Sequence, residues 1–295
     1  MNRREPARTQ RAAQPRLALF AAAVLFSTGG AAIKALAFTG WQVASFRSGV
    51  AALATALLLP AARRRWPPRT WLAGTAYAAT MVLFVVSNKL TTSANAIFLQ
   101  STAPLYILFL GPWLLREPVR RDELWYVLIV IAGLALFFIG HERPASTAPR
   151  PMLGNVAALC SGVCWALTIV SLRWLGAARH GDDSAPATIV TGNLLAFLGC
   201  LPLALPVASC RAQDILVVAF LGVFQIAVAY ALVTFGLRHL RALEASAILL
   251  VEPALNPIWS WLMHGEVPSM AGILGGTLIL GATVARSWRG ARAPP

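Results

Sequence analysis

Apolar residues in this chain come in long unbroken runs, not in the half-buried periodicity of a soluble helix. Ten runs reach the ~18–20 residues that carry a helix across a hydrocarbon core. They are residues 17–37, 41–61, 71–90, 94–114, 123–140, 153–174, 187–207, 214–236, 243–263 and 267–285. Some of the turns between them, such as "AFTG" and "KLTTS", are too short for soluble domains. The pattern therefore predicts an all-α polytopic membrane protein: one compact bundle of ten transmembrane helices. The opening "MNRREPARTQRAAQPRLALFAAAVLF" has the basic start and apolar core of a signal peptide. Its apolar stretch runs on to about residue 37, longer than a signal core, so it is read as the first span.

Composition supports lipid as the solvent. The chain has 295 residues, 58% hydrophobic and only 12% charged, where a soluble domain carries about 25% charged residues. The net charge of +14 would suggest nucleic acid in a soluble protein. Its placement says otherwise. With the N-terminus inside, nineteen arginines fall on the cytoplasmic side, against Lys89, Arg143, Arg150 and Arg211 on the other. Basic residues concentrate on the inner side of membrane proteins. The excess is thus read as topology: both termini cytoplasmic, and no nucleic-acid partner.

The chain also repeats itself. In "TAPLYILFLGPWLLREPV" and "VEPALNPIWSWLMHGEVP", Pro104 to Glu117 and Pro253 to Glu266 both span thirteen residues. Each piece follows a small-residue lead-in, "TSANAIFLQ" or "LEASAILLV". The halves are 12–141 and 150–287, with short tails at 1–11 and 288–295. Five spans per half is an odd number, so the second half enters the bilayer from the opposite side. Inverted repeats of this kind are a signature of secondary transporters, which hold substrate near the midplane between the halves.

These stretches, together with Arg47 in "SFRSGVAAL" and the opening "LGNVAALCSGVCWAL", resemble the drug/metabolite transporter superfamily, in particular its EamA group with two five-helix repeats. The resemblance covers nearly the whole chain. It implies a ten-helix fold, alternating access and export of small organic metabolites such as amino acids, from a bacterial inner membrane, by a monomer or homodimer. It leaves the substrate open, since members carry amino acids, sugars, nucleotide-like compounds and drugs. A second reading is a flippase for a lipid-linked or polyprenyl-linked carrier. The sequence has no Walker loop, no HExxH and no paired-carboxylate cluster, so neither a catalytic residue nor a cofactor is expected. Cys160, Cys164, Cys200 and Cys210 have no clustered His or carboxylate to complete a metal site.

An ionisable group at bilayer depth costs roughly 2.5–3.5 kcal/mol on insertion scales, so each one needs a reason. Glu252 lies mid-span, followed by Pro253, Asn256 and Pro257. The prolines predict a bent helix beside a wet cleft. Glu252 is read as a proton carrier, as a counter-charge for a substrate amine, or as half of a buried ion pair with Arg47 or Lys34. Arg47 suits a substrate acid group or a helix-to-helix tie. Lys34 is placed to snorkel outward or to line the cavity. Gln100, Ser101, Gln225, Tyr230 and Asn193 are neutral polar groups that either line the cavity or tie helices. Gln100 and Glu252 lead the cavity candidates, because the lead-ins bring them near the repeat interface. Trp165 sits deep enough to stack on a substrate or to pack. Gly29, Gly30, Gly275 and Gly276 permit close backbone approach or flexing.

Overall fold

A computed structural model describes residues 5–63, 66–114, 124–139, 144–178, 185–237, 239 and 248–292. Helices account for nearly all of them. The first half comprises α1 (Glu5–Ser27), α2 (Gly29–Ala35), α3 (Gly40–Leu58), α4 (Pro68–Leu90), α5 (Ser93–Gln100), α6 (Ala103–Leu114) and α7 (Leu124–Ile139). The second comprises α8 (Pro151–Ala178), α9 (Ala185–Ala204), α10 (Ala212–Phe220), α11 (Ala229–Leu237), α12 (Val251–His264) and α13 (Met270–Arg292). A π-helical stretch, Leu221–Val228, joins α10 to α11 into one rod. Six stretches are long and apolar enough to cross a membrane by length and composition: Gln14–Ala35, Pro68–Leu90, Ser93–Leu110, Pro151–Leu172, Ala185–Ala204 and Ala212–Leu237. Glu117, and Arg3, Arg4, Arg64, Arg65, Arg116, Arg120, Arg121, Arg143, Arg179, Arg238 and Arg241 of the charge asymmetry, lie outside the described residues.

The starts and stops follow local chemistry. Thr39 and Gln42 form a capping box that opens α3, each side chain bonding the other's backbone N–H. Thr92 caps α5 by accepting from the Asn95 amide at 3.2 Å. Pro68 opens α4 at a position where its missing N–H costs nothing. Gly265, at φ 63°, ends α12 in the left-handed conformation that glycine adopts most easily.

Two predicted spans differ in a way that bears on function. The run 94–114 is not one helix but α5 and α6, broken at Ser101 and Thr102. Pro104 has no N–H to return to the carbonyl of Gln100. The Ser101 and Thr102 hydroxyls bond the Ile97 and Leu99 carbonyls, at 2.7 Å and 2.6 Å. The described part of the run 243–263 breaks at Leu250, and α12 starts one residue before Glu252. The two breaks fall just before the repeat-related prolines, Pro104 and Pro253. The first span breaks too, at Thr28, between α1 and α2.

The largest contacts join one half to the other. α3 packs on α9, α7 on α13, α4 on α8, and α1 on α11. These contacts pair spans two and seven, five and ten, three and six, and one and eight. At the α7–α13 crossing, a Cβ on Gly133 would lie 2.9 Å from the Gly275 carbonyl oxygen, and one on Gly275 would lie 2.7 Å from that of Gly133. The distribution of polarity is that of a membrane protein. Leu53, Leu72, Leu128 and Leu216 face outward, while Arg47, Asn155, Asn193 and Asn256 are buried.

Candidate substrate site

Four elements of the two halves converge on Tyr230 of α11. Its ring meets Phe26 of α1 edge-on at 5.1 Å and Tyr77 of α4 at 5.9 Å. Asn193 of α9 donates from Nδ2 to the Tyr77 hydroxyl at 3.3 Å. Arg47 of α3 and Glu252 of α12 both lie within electrostatic reach of Tyr230. A cation and an anion thus both lie near one aromatic cluster where the halves meet.

Neither charge has an ion-pair partner among the described residues. Arg47 is 1% exposed, yet among the described residues its only polar contact is from Nη2 to the Met81 sulfur at 3.5 Å, and its Nε has none. Glu252 is half-buried, with neither hydrogen bond nor salt bridge among the described residues. Among the described residues, Arg47 therefore ties α3 to α4 only through the Met81 sulfur, and the ion pair of Glu252 with Arg47 or Lys34 is not formed. One feature makes Glu252 tolerable: it sits in the first turn of α12, where the helix dipole favours an anion. Arg47 has no such relief, and a buried guanidinium left without a counter-charge is among the costliest arrangements in a protein interior. Asn193 Oδ1 is likewise buried without a partner.

Lys34 is elsewhere, and neither snorkels nor lines this cluster. Its ammonium sits 3.1 Å from Glu266 Oε1, with side chains only 4% and 3% exposed. The contact is an ion pair, close in distance but not aligned as a hydrogen bond to that oxygen. Lys34 also donates to the carbonyls of Thr91, at 2.8 Å, and Thr147. Glu266 Oε2 accepts from the Ser93 backbone N–H at 3.0 Å. One ammonium therefore ties together α2, the α4–α5 turn, the α7–α8 linker and the end of α12. Nearby, the Lys89 ammonium donates to the Leu36 carbonyl at 2.7 Å.

The other candidates separate. Gln100 donates to Ser161 at 2.8 Å, and Ser161 to the Thr80 carbonyl at 3.1 Å, which ties α5 through α8 to α4 rather than joining Glu252. Ser101 is spent on its own helix end. Gln225, on the π-helical stretch, reaches the Phe26 carbonyl at 3.5 Å, and its Oε1 is buried without a partner. Gly29 makes room for it: a Cβ there would lie 2.8 Å from Gln225 Nε2. Trp165 is half-buried on α8. Asn256 belongs with the Lys34 end, packed over Gly30.

Sequence reasoning missed Tyr77, Phe26 and the pairing partner Glu266. An aromatic residue in an apolar run carries no signal of its own. Tyr77 could have been suspected only as one of four tyrosines in the chain. Among the described residues no group of three or more His, Cys, Asp or Glu is placed to hold a metal ion.

Comparison with known proteins bears on this arrangement. The profile of the EamA-like transporter family matches twice, over residues 16–139 and 152–287. The chain is similar to the threonine/homoserine exporter RhtA of Escherichia coli K12, 28% identical over 212 residues, covering 70% of this chain and 64% of that protein. The RhtA of Salmonella typhimurium LT2 is 26% identical over 209 residues, 68% of this chain and 65% of its own length. The match thus spans a little under two thirds of those exporters. The pseudopaline exporter CntI of Pseudomonas aeruginosa PAO1 is 26% identical over 277 residues, 90% of this chain and 93% of its own. One solved crystal structure superposes with a TM-score of 0.62 at 20% identity, over 95% of this chain and 99% of the other, a likeness of fold alone.

Proposed function

Because the chain belongs to the EamA-like transporter family, we propose that it is a secondary exporter of small amino-acid-like metabolites, working by alternating access. It is a multi-pass membrane protein, and in this reading both termini are cytoplasmic, so the Lys34 end is the outer one. The observation that carries the reading is the pair of uncompensated charges around Tyr230. A buried guanidinium without a counter-charge among the described residues is suited to a carboxylate from the ligand, with its planar fork bidentate to two oxygens. The Glu252 carboxylate, near the same aromatic cluster, suits an ammonium. An α-amino acid carries both groups on adjacent atoms. Tyr230, Tyr77 and Phe26 would contact the substrate's remaining surface, and Asn193 Oδ1 is left to accept a hydrogen bond.

The relatives fit this chemistry. Threonine and homoserine, named for two of them, are amino acids. The helix breaks at Ser101 and Leu250 and the π-helical stretch fit the mechanism. Discontinuous helices near the midplane are the usual walls of transporter sites, and π-helical stretches recur at functional positions.

Purified protein in liposomes loaded with L-threonine should take up labelled L-threonine by counterflow. Analogues lacking the carboxylate or the amine should compete poorly. If no amino acid is exchanged by protein that is folded and inserted, the reading fails.

A further inference from the structure

Polar side chains that tie membrane helices together do so by bonding, and this protein has a clear example. Thr91 and Asn95 both donate to Asn155 Oδ1, at 2.7 Å and 3.1 Å, and Asn155 donates to the Phe137 carbonyl at 3.2 Å. Not far away, where α12 packs on α2 and α5, polar groups are equally buried and bond nothing. Asn256 is 0% exposed and neither its Nδ2 nor its Oδ1 has a partner. Ser93 and Ser260, at 0% and 1% exposed, have hydroxyls in the same condition. Each such group costs about 1–3 kcal/mol relative to a bonded one. Helix adhesion does not explain them.

Their placement suggests what does. Glu252, Asn256, Ser260 and His264 recur every four residues, a polar stripe along α12 that begins at the central cluster. At its far end the His264 ring contacts the Ala31 carbonyl at 2.8 Å, and Glu266 pairs with Lys34. Between these ends, the point where a Cβ of Gly30 would stand is 2.7 Å from Asn256 Oδ1 and 2.9 Å from the Ser93 hydroxyl. Both oxygens therefore turn toward α2, which covers them.

We propose that Asn256, Ser93 and Ser260 form a second, outer subsite for the hydrogen-bonding groups of a small zwitterionic substrate. It is covered by α2 in this conformation and opens when the Lys34–Glu266 pair parts. The subsite rests on the transport reading of the central cluster and extends it along the exit route. In the outward-open state the three side chains face water or substrate, which supply the partners they lack here. Lys34 and Glu266 are the lock, one from each half of the chain. Breaking the lock exposes the stripe from the outside without touching Arg47 or Tyr230.

The test uses full-length protein in which the four native cysteines are replaced, with Ser93→Cys or Ser260→Cys added. A membrane-impermeant maleimide is applied from outside in oriented vesicles. Labelling should be slow with the lock intact and at least tenfold faster with Lys34→Ala or Glu266→Gln. The charge swap Lys34→Glu with Glu266→Lys should return it toward the slow rate, which guards against misfolded single variants. In parallel, Asn256→Leu should raise the external half-saturation concentration for L-threonine at least threefold and leave the internal one unchanged. Labelling that ignores the lock, or unchanged external half-saturation in Asn256→Leu, overturns the proposal. Labelling needs no transported ligand, so failure of the amino-acid reading is seen separately, as absent counterflow in the unmodified protein.

Discussion

Lys34 and Glu266 come from opposite halves of the chain and meet at 3.1 Å with their side chains almost wholly withdrawn from solvent. Neither is free to move alone. Lys34 holds two backbone carbonyls besides its counter-ion, and Glu266 holds the first amide of α5. A charged pair of this kind is a poor way to gain stability, because desolvation offsets most of the attraction. It is a good way to hold two parts in one register until both charges are released together.

The energetics of that pair can be measured directly. Removing one partner should destabilise the protein by about 3–5 kcal/mol, since the other charge is left buried. Replacing both, as Lys34→Met with Glu266→Leu, should cost less than either Lys34→Met or Glu266→Leu alone. Chemical unfolding of the four proteins in detergent gives the comparison. Equal or additive losses would mean that the two side chains are not coupled.

Arg47 separates stability from function. If its guanidinium is held in reserve for a substrate carboxylate, Arg47→Met should stabilise the empty protein by roughly 1–3 kcal/mol, the scale of an unsatisfied buried polar group. The same change should lower counterflow at least tenfold. A structural tie predicts the reverse for stability, so a fall in melting temperature would count against the reading.

Glu252→Gln keeps the shape of the side chain and removes its charge. The fold should be intact, since Glu252 makes no hydrogen bond or ion pair to any described residue. Competition by amine-bearing substrates should weaken about tenfold, while that of analogues without the amine should hardly change. A loss of the same size for both classes would show that Glu252 does not recognise the amine.

Close backbone approach makes a further distinction. A Cβ on Gly154 would lie 2.6 Å from the Thr91 backbone nitrogen and 2.9 Å from the Leu90 carbonyl carbon. Backbone cannot rotate out of the way, so Gly154→Ala should cost roughly 1–3 kcal/mol. Gly199, within α9, has nothing within 4 Å of the same position. There Gly199→Ala should be neutral or gain up to about 1 kcal/mol from helix propensity. Thermal unfolding of the two variants side by side tests the close approach of α8 to the end of α4.

Much of this architecture can be read along the chain. The hydrophobic runs correspond to helical elements, because a backbone in lipid must bond to itself within each segment, whatever its neighbours are. The repeat around Pro104 and Pro253 is visible for a similar reason. A missing N–H acts locally, and both prolines follow helix breaks. Arg47, Tyr230 and Glu252 stand out as candidates because polar groups are rare at that depth.

Partnership is another matter. Nothing local distinguishes Glu252 from Glu266 as the mate of Lys34, or Gln100 from Asn193 as a neighbour of the central cluster. Those outcomes depend on how α2, α5 and α12 pack, and so on side chains far apart in sequence. Lys34 pairs with Glu266 across 232 positions because two helix ends come together there. Arg47 and Glu252 are left unpaired for the same reason. Charges inside a membrane are satisfied only by what lies within a few ångströms, and helix packing, not the order of residues, sets those distances.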